Sequence, residues 1–346
     1  MKSIMLLSPD PDSVVSQQTP EQKRFSGTTF PAGTDPENFD WLQLTRSETP
    51  DHTMPAPILF RWRGVLSHAK AECAEDRDFL TGKLEYAAEK DNASASVHSL
   101  KVHTTYYWRV SGFDCEGNRV LSPVRTFRTA DETPRWIRAE GVSNVRDCGG
   151  WHTKDGHLIR QGLLFRGGEM NRHMTITPAG TEFLEKQIGL RTVLDLRNPD
   201  ERALLPKQGR ALSPAVGWIT IPLRPYSEIF SGLQKEYYAQ AFRLLTKEYL
   251  PLYFHCWGGA DRTGTFALLL NAVLGVEDEL LLHDYELTSL SIWGERSRRK
   301  DYFQSFLSDF EALAPNSDLE AKARAYFRQC GITEEELCKF KNLMLE

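Results

Sequence analysis

Cys256 and Arg262 are the residues whose types and spacing most clearly suggest chemistry, six positions apart in HCWGGADRTG, residues 255–264. Residues 250–254 (LPLYF) suit a short buried strand, and residues 263–273 (TGTFALLLNAV) suit an apolar helix. The loop between them therefore lies at a helix N-terminus. There, free backbone N–H groups and the positive end of the helix dipole favour an anion. The pattern predicts a phosphate-binding loop.

The loop also carries the groups that phosphoryl transfer requires. Gly258 and Gly259 allow the backbone to curl closely around an anion. A helix N-terminus and a nearby guanidinium favour the thiolate form of a cysteine, so Cys256 is predicted to be the nucleophile. Arg262 offers a planar, permanently charged fork that can hold two phosphoryl oxygens. The expected reaction is attack of the Cys256 thiolate on phosphorus, followed by hydrolysis of a phosphocysteine intermediate.

The remaining loop residues are predicted to support this chemistry. Thr263 can donate its hydroxyl to the thiolate, and His255 can hydrogen-bond to the backbone and fix the shape of the loop. A structural cysteine beside a surface arginine is the alternative, and the strand, the glycines and the helix together disfavour it. The predicted substrate-binding residues are His255, Trp257, Gly258, Gly259, Ala260 and Thr263.

Release of the leaving group requires a general acid, and three carboxylates are candidates. Asp261 lies inside the loop, where a thiolate and a phosphate dianion would favour its protonated form. It could equally point away and brace the loop. Asp195 lies near the end of a predicted strand over residues 191–197, and Glu228 follows a predicted strand over residues 218–223. Asp261 is preferred, and Asp195 and Glu228 stay open.

The segment HCWGGADRTG resembles the signature loop of the protein tyrosine phosphatase superfamily, in the bacterial branch where Asp directly precedes Arg. The likeness extends from Trp136 to about Arg299, with Cys148 in place of an expected leucine and Gly167 in place of an expected serine. It implies an α/β domain with a central sheet flanked by helices, and catalysis without a cofactor or metal. Three further segments resemble that branch in order: NVRDCGG at 144–150, LFRGG at 164–168 and TVLDLR at 192–197.

Several arginines and carboxylates outside the loop are also expected near it. In open α/β sheets the ligand crevice lies beyond the carboxyl ends of the strands, and Cys256 follows its strand in that position. Asp195 and Arg197 lie at another strand end, and Arg146, Asp147 and Arg166 lie in the other segments of the likeness. They are predicted either to rim the pocket or, as buried Arg/Asp pairs, to brace loops.

The absence of lysine from the loop bears on the substrate class. Relatives that act on phosphoinositides often carry lysines inside the loop, whereas Trp257 to Ala260 carry none. This favours phosphotyrosine-type substrates, in a phosphorylated protein or a small phosphorylated molecule. A phosphoinositide or inositol phosphate phosphatase is the alternative, because Arg296, Arg298, Arg299 and Lys300 could add a positive field. A non-catalytic phospho-ligand binding or interaction protein is a second alternative, against which Cys256 argues.

Composition narrows the classes of function. The 346 residues are 40% hydrophobic and 26% charged with a net charge of -5, which leaves no basic footprint for nucleic acid. No apolar run approaches the ~20 residues of a membrane span, and the N-terminal run is shorter than the roughly 7 to 15 of a signal peptide. The irregularly spaced cysteines suggest neither disulfides nor zinc. A thiolate enzyme needs reducing conditions, so a cytoplasmic location is expected, with export as the open alternative.

The N-terminal part of the chain differs from the rest. Its short β-rich runs, separated by turn residues, predict an all-β sandwich over residues 1–130. LKVHTTYYWRV at 100–110 and VRTFRT at 124–129 resemble the later strands of a fibronectin type III domain. ADETP at 130–134 is the predicted linker. The predicted phosphatase domain then covers residues 135–346.

Overall fold

The chain divides into two compact units, which are described separately. In the computed structural model the described residues are 4–27, 51–89, 93–203 and 211–346. Unit 1 is Met1–Thr19 with Pro55–Arg135, and unit 2 is Pro20–Met54 with Trp136–Glu346. The junction after Arg135 follows the predicted linker directly. Residues 20–27 and 51–54, which the sequence placed in the first domain, belong instead to unit 2. Residues 28–50 of that stretch lie outside the described residues.

Unit 1 carries two β-sheets among its described residues. One sheet has the order β1-β3-β6, and the other has the order β2-β9-β7-β4-β5 with β8 beside β7. Side chains of both sheets share one core, in which the ring of Phe60 lies 4.5 Å from Trp108 and 5.5 Å from Phe127. The strands are β1 (Met5–Ser8), β2 (Ser13–Val15), β3 (Ile58–Arg63), β4 (Ser67–Ala74), β5 (Leu84–Ala87), β6 (Ser94–Val97), β7 (Thr105–Phe113), β8 (Arg119–Leu121) and β9 (Arg125–Thr129).

Unit 2 is built on a mixed sheet with the order β10-β11-β14-β12-β13. β10 runs antiparallel to β11, and the other neighbours are parallel. The central strand, β14, is buried at all of its residues, as expected of a parallel strand covered on both faces. The sheet strands are β10 (Arg146–Asp147), β11 (Leu164–Gly167), β12 (Thr192–Asp195), β13 (Gly217–Thr220) and β14 (Leu252–His255).

Helices flank this sheet, so unit 2 has the predicted α/β architecture. Every residue of α5 (Arg262–Leu274) after Arg262 is buried, and Gly275, in the left-handed conformation, caps the C-terminus of the helix. No helix in the described ranges is long and apolar enough to cross a membrane. The helices are α1 (Pro20–Gly27), α2 (Pro178–Glu182), α3 (Pro199–Ala203), α4 (Gly232–Arg243), α5 (Arg262–Leu274), α6 (Asp278–Glu286), α7 (Asp301–Glu311), α8 (Leu319–Gln329) and α9 (Glu334–Met344), with 3-10 turns at Tyr226–Phe230 and Leu287–Leu290.

An early segment of the chain is part of unit 2. Phe25 of α1 packs in one buried cluster with Trp136 and Leu290. Thr53 Oγ1 accepts a hydrogen bond of 2.8 Å from the backbone N–H of Asn144. This segment therefore contributes to the part of unit 2 that precedes β10.

Candidate active site

The backbone of the loop between β14 and α5 is held from outside by hydrogen bonds to its carbonyl groups. Four successive carbonyl oxygens accept such bonds, and their donors come from β14, from the segment after β11, from the residues before β10 and from β11 itself. The donors are His255 Nδ1 to Cys256 (2.9 Å), Glu169 N to Trp257 (2.8 Å), Asn144 Nδ2 to Gly258 (2.9 Å) and Arg166 Nη2 to Gly259 (2.9 Å).

This arrangement turns the N–H groups of the loop toward its interior. In a trans peptide the N–H points opposite to the C=O, so carbonyls that are bonded outward leave the amides facing inward. The N–H groups of residues 257–261 donate to no other group within the described ranges. A ring of unpaired amides at the start of a helix is an anion site. These donors suit a phosphate group rather than a metal ion.

The two glycines of the loop are required by close approaches of other backbone and ring atoms. Gly259 has φ +66°, and a Cβ there would lie 2.4 Å from the carbonyl carbon of Gly167. A Cβ at Gly258 would lie 2.7 Å from Cγ of Trp293. Gly167, where the family expects serine, is needed as well, because a Cβ there would lie 2.3 Å from the hydroxyl of Tyr253. That hydroxyl donates to the Gly168 carbonyl at 2.6 Å.

Cys256 follows the central strand directly, at the carboxyl edge of the sheet where open α/β folds bind ligands. Its side chain is largely buried. Burial lowers the pKa of His255, and its Nδ1–H donates to the Cys256 carbonyl of the loop. Thr263 Oγ1 has no hydrogen-bond partner among the described residues, whereas the sequence analysis expected it to donate to the thiolate.

The other two predicted binding residues of the loop lie on either side of the glycines. Trp257 is half-buried, with the guanidinium of Arg172 4.4 Å above its ring and the His173 ring 4.5 Å away. Ala260 is buried. Trp257 thus contributes an aromatic surface to the loop, and Ala260 contributes backbone.

Arg262 is held by a carboxylate that the sequence analysis missed. Its Nη1 and Nη2 donate to Glu201 of α3 at 2.6 and 2.9 Å. Burial opposes the charge, but Glu201 and the Cys256 sulfur outweigh it and leave the pKa of Arg262 above its ordinary value. Because Glu201 takes the outer end of the guanidinium, the edge that carries Nε–H remains for an anion in the loop. The sequence shows Glu201 shortly after Pro199, but no local pattern indicates that it pairs with Arg262, 61 positions away.

Arg166 and Arg146 form a buried brace around Asp284 of α6. Arg166 Nη1 lies 2.6 Å from Asp284 Oδ2, and Arg146 Nε lies 3.0 Å from Oδ1. Burial raises the pKa of Asp284, but the two guanidinium groups outweigh it and hold the carboxylate ionised. Of the two predicted roles for Arg166, the structure supports bracing, since its other N–H bond goes to the loop carbonyl of Gly259.

Asp195 and Arg197 form a second buried network. Arg197 donates to Asp195 at 2.9 and 2.8 Å and to Glu169 at 2.8 Å, and all three side chains are fully buried. Burial raises the pKa of Asp195, but His255 and Arg197 outweigh it and lower the pKa below its ordinary value. Asp195 is therefore committed to a structural ion pair, and Glu169 connects that pair to the loop.

Asp261 and Glu228, the remaining acid candidates, lie in different environments. Asp261 Oδ1 accepts from Arg296 Nε at 2.8 Å and from the hydroxyl of Tyr226, and Oδ2 accepts from Arg296 Nη2 at 3.1 Å. Glu228 is exposed, and Arg224, 4.0 Å away, is its ion-pair partner. Tyr226, near the predicted position of Glu228, makes the contact with the loop instead.

Comparison with known proteins places this site in a family. The sequence profile of the tyrosine phosphatase family matches residues 137–346, so the chain belongs to the tyrosine phosphatase family. A Cupriavidus necator protein named "putative tyrosine-protein phosphatase" is 31% identical over 169 residues, which cover 42% of this chain. The matched region spans 59% of the length of that relative.

Two solved structures also show likeness to the chain. The core catalytic domain of the PP-IP phosphatase SIW14 from S. cerevisiae, in complex with citrate, is 13% identical with a TM-score of 0.29, covering 43% of this chain and 86% of its own. TpbA from P. aeruginosa, in complex with phosphotyrosine, is 18% identical with a TM-score of 0.31, covering 48% and 86%. At these scores neither likeness bears on the substrate of this protein.

Proposed function

We propose that the protein hydrolyses phosphate monoesters through a phosphocysteine intermediate on Cys256. The observation that carries this proposal is the loop of inward-facing, unpaired amides between Cys256 and Arg262. The amides and the open edge of Arg262 bind the three terminal oxygens of the phosphoryl group, and Cys256 attacks phosphorus in line with the leaving oxygen. Water then hydrolyses the intermediate, and neither a metal nor a cofactor takes part.

The general acid is Asp261 in this proposal. Asp195 is bound to Arg197 inside the protein, and Glu228 is exposed and pairs with Arg224. Asp261 is the carboxylate that belongs to the loop itself. It donates its proton to the leaving oxygen during the first step.

Phosphotyrosine-type substrates fit the surroundings of the loop best. Aromatic rings lie beside it, with the His173 ring 4.5 Å from Trp257 and 6.1 Å from Trp293. Three of the four cations that could serve a polyanion are already paired: Arg296 with Asp261, Arg298 with Glu279 and Glu286, and Lys300 with Glu295. Pairing weakens the positive field that a phosphoinositide or an inositol phosphate would need.

We propose further that residues 1–130 contain a fibronectin type III-like sandwich that acts as an accessory module, and that residues 135–346 carry the catalytic residues of the phosphatase. Residues 20–27 and 51–54 are part of unit 2 rather than of that module. Two sheets with a shared core support this class for unit 1. The expected substrate is a phosphorylated protein or a small phosphorylated molecule, and no partner nucleic acid is expected. A cytoplasmic location suits a reactive thiolate.

The test compares three substrates with purified full-length protein. Release of phosphate is measured from an aryl phosphate, a phosphotyrosine peptide and a phosphoinositide, with Cys256→Ser as the matched variant. Turnover of the first two substrates, abolished by Cys256→Ser, is expected. Absence of turnover, or full activity in Cys256→Ser, would overturn the proposal. A preference for the phosphoinositide would establish the alternative substrate class.

A further inference from the structure

The carboxylate of Asp261 accepts hydrogen bonds from two side chains that lie outside the loop. Its two oxygens accept three hydrogen bonds, two from Arg296 and one from the Tyr226 hydroxyl. An ionised carboxylate offers about four acceptor sites on its two oxygens, so one site remains, on Oδ2. In this arrangement Asp261 is an acceptor with a single open position. The open position on Oδ2 can accept a proton from water in one step and return it to a leaving oxygen in the other.

The two donors are themselves anchored by other elements. The backbone N–H of Arg296 donates to Ser289 Oγ at 2.9 Å, and Ser289 Oγ donates to the Arg296 carbonyl at 3.0 Å. The backbone N–H of Tyr226 donates to Thr265 Oγ1 of α5 at 3.2 Å, and the Tyr226 hydroxyl lies 2.8 Å from that of Tyr285. Both donors therefore present Asp261 with fixed hydrogen bonds rather than mobile surface contacts.

Tyr226 also adopts a backbone conformation that a tyrosine rarely takes. Its φ is +53°, in the left-handed region, which costs a residue with a Cβ roughly 1 kcal/mol or more. The conformation directs the Tyr226 ring into a cluster with Tyr285, Tyr302 and Phe303. An unfavourable φ that is maintained by packing is consistent with a position that a site requires.

We propose that Arg296 and Tyr226 are positioning residues that hold Asp261 as the general base for hydrolysis of the phosphocysteine intermediate. This inference rests on the proposed function. In the step concerned, a water proton passes to Asp261 Oδ2 while the water oxygen bonds to phosphorus. The bond between phosphorus and sulfur breaks, and Cys256 leaves as the thiolate. The products are inorganic phosphate and a protonated Asp261, which is the acid for the next turnover.

The two steps of the reaction differ in what they need from Arg296 and Tyr226. With an activated aryl phosphate the leaving group departs without a proton, so the first step does not use Asp261. The second step always uses it, because water is a poor nucleophile until a base removes its proton. Loss of Arg296 or Tyr226 should therefore slow phosphate release and leave release of the aryl alcohol unchanged.

The experiment measures both products in a single turnover of the full-length protein with an activated aryl phosphate. In Arg296→Gln, release of inorganic phosphate should slow about 10-fold, the loss expected when charge-assisted hydrogen bonds to a base are removed. Release of the aryl alcohol and kcat/KM should stay within about twofold of wild type. Tyr226→Phe should give the same split to a smaller extent, and Arg296→Lys should restore part of the rate.

Arg298→Gln is the matched control. It removes an arginine two positions away whose partners are Glu279 and Glu286 rather than Asp261. Both products should form at wild-type rates in this variant. Equal slowing of both products in Arg296→Gln and Tyr226→Phe, or no slowing of phosphate release in either, would overturn the inference. Failure of the proposed function looks different, because wild type would then form neither product or Cys256→Ser would form both.

Discussion

At the scale of single residues, two adjacent residues of opposite charge are each paired with a counter-ion from another element. Arg262 is bound to Glu201 of α3, and Asp261 is bound to Arg296 after α6. Each pair uses two parallel hydrogen bonds, which fixes direction as well as charge. The nucleophile alone therefore does not define this site. The pairs orient the groups that bind and protonate the substrate.

Glu201→Gln tests the hold on Arg262. The amide offers one acceptor oxygen and no charge, so Arg262 loses its bidentate partner and moves among several rotamers. We expect kcat/KM for an aryl phosphate to fall about 10-fold, corresponding to about 1.4 kcal/mol of lost transition-state stabilisation. Asp200→Asn, at an exposed neighbour in the same short helix, is the control and should retain wild-type kcat/KM. Unchanged kinetics in both variants would show that Glu201 has no role in catalysis.

Substrates whose leaving groups differ in pKa test which carboxylate is the general acid. Replacement of the true acid should lower kcat/KM for phosphotyrosine by something on the order of 10²-fold, and much less for an aryl phosphate with a low-pKa leaving group. Asp261→Asn is expected to give this contrast. The same contrast in Asp195→Asn or Glu228→Gln, with Asp261→Asn near wild type, would move the acid to that residue. Equal loss with both substrates in Asp261→Asn would indicate that Asp261 braces the loop.

At the scale of elements, the loop after β14 passes so close to the end of β11 that only glycine fits at position 259. The φ of +66° and the 2.4 Å approach to Gly167 are two separate reasons. An added methyl group would push the loop away from β11 and displace the Gly259 carbonyl from Arg166. The inward direction of the amides depends on that bond.

Gly259→Ala should therefore lower kcat/KM by about 10²-fold or more, because a displaced anion loop fails every substrate alike. Gly156→Ala is the control that separates the cost of a positive φ from the steric clash of an added Cβ. Gly156 has φ +87° with no atom within 4 Å of an added Cβ, so alanine there costs about 1 kcal/mol of stability and leaves kcat/KM unchanged. Equal kinetics for the two variants would show that the close approach to Gly167 does not shape the loop.

Local patterns in the sequence predicted the strand and the helix that flank the site. They did not predict the contacts between residues that lie far apart in the chain. The apolar runs at 250–254 and 263–273 correspond to β14 and α5, because a strand and a buried helix each leave a signal within a few residues. The donors to Gly258 and Gly259 lie 114 and 93 positions away. No periodicity connects such pairs. The choice between rim and brace for Arg166 could therefore be made only from the folded chain.

At the scale of the whole molecule, the chain order of the two units has a functional consequence. Residues 20–27 and 51–54 belong to unit 2 although residues 55–135 of unit 1 follow them in sequence. Thr53 Oγ1 accepts from the N–H of Asn144, and the side chain of Asn144 supports the Gly258 carbonyl. A boundary near residue 133 would therefore remove part of the support of the active site.

A chain that starts at Thr133 is expected to be less stable than the full chain and to lose most of its aryl phosphatase activity. In the full chain, Thr53→Val should lower stability by about 1 to 3 kcal/mol, because the buried N–H of Asn144 loses its acceptor. Thr53→Ser keeps the hydroxyl and should behave like wild type. Thermal unfolding and kcat/KM are the measurements. Full activity and stability of the chain from Thr133 would show that residues 20–27 and 51–54 are dispensable.

The central claim is that phosphate passes through a covalent bond to Cys256, and that bond can be observed. Full-length protein is denatured rapidly during turnover of an activated aryl phosphate, digested and analysed by mass spectrometry. We predict a phosphate group on the peptide that carries Cys256, absent in Cys256→Ser and absent without substrate. Turnover with no phosphorylated peptide, or with the phosphate on another residue, would contradict the account.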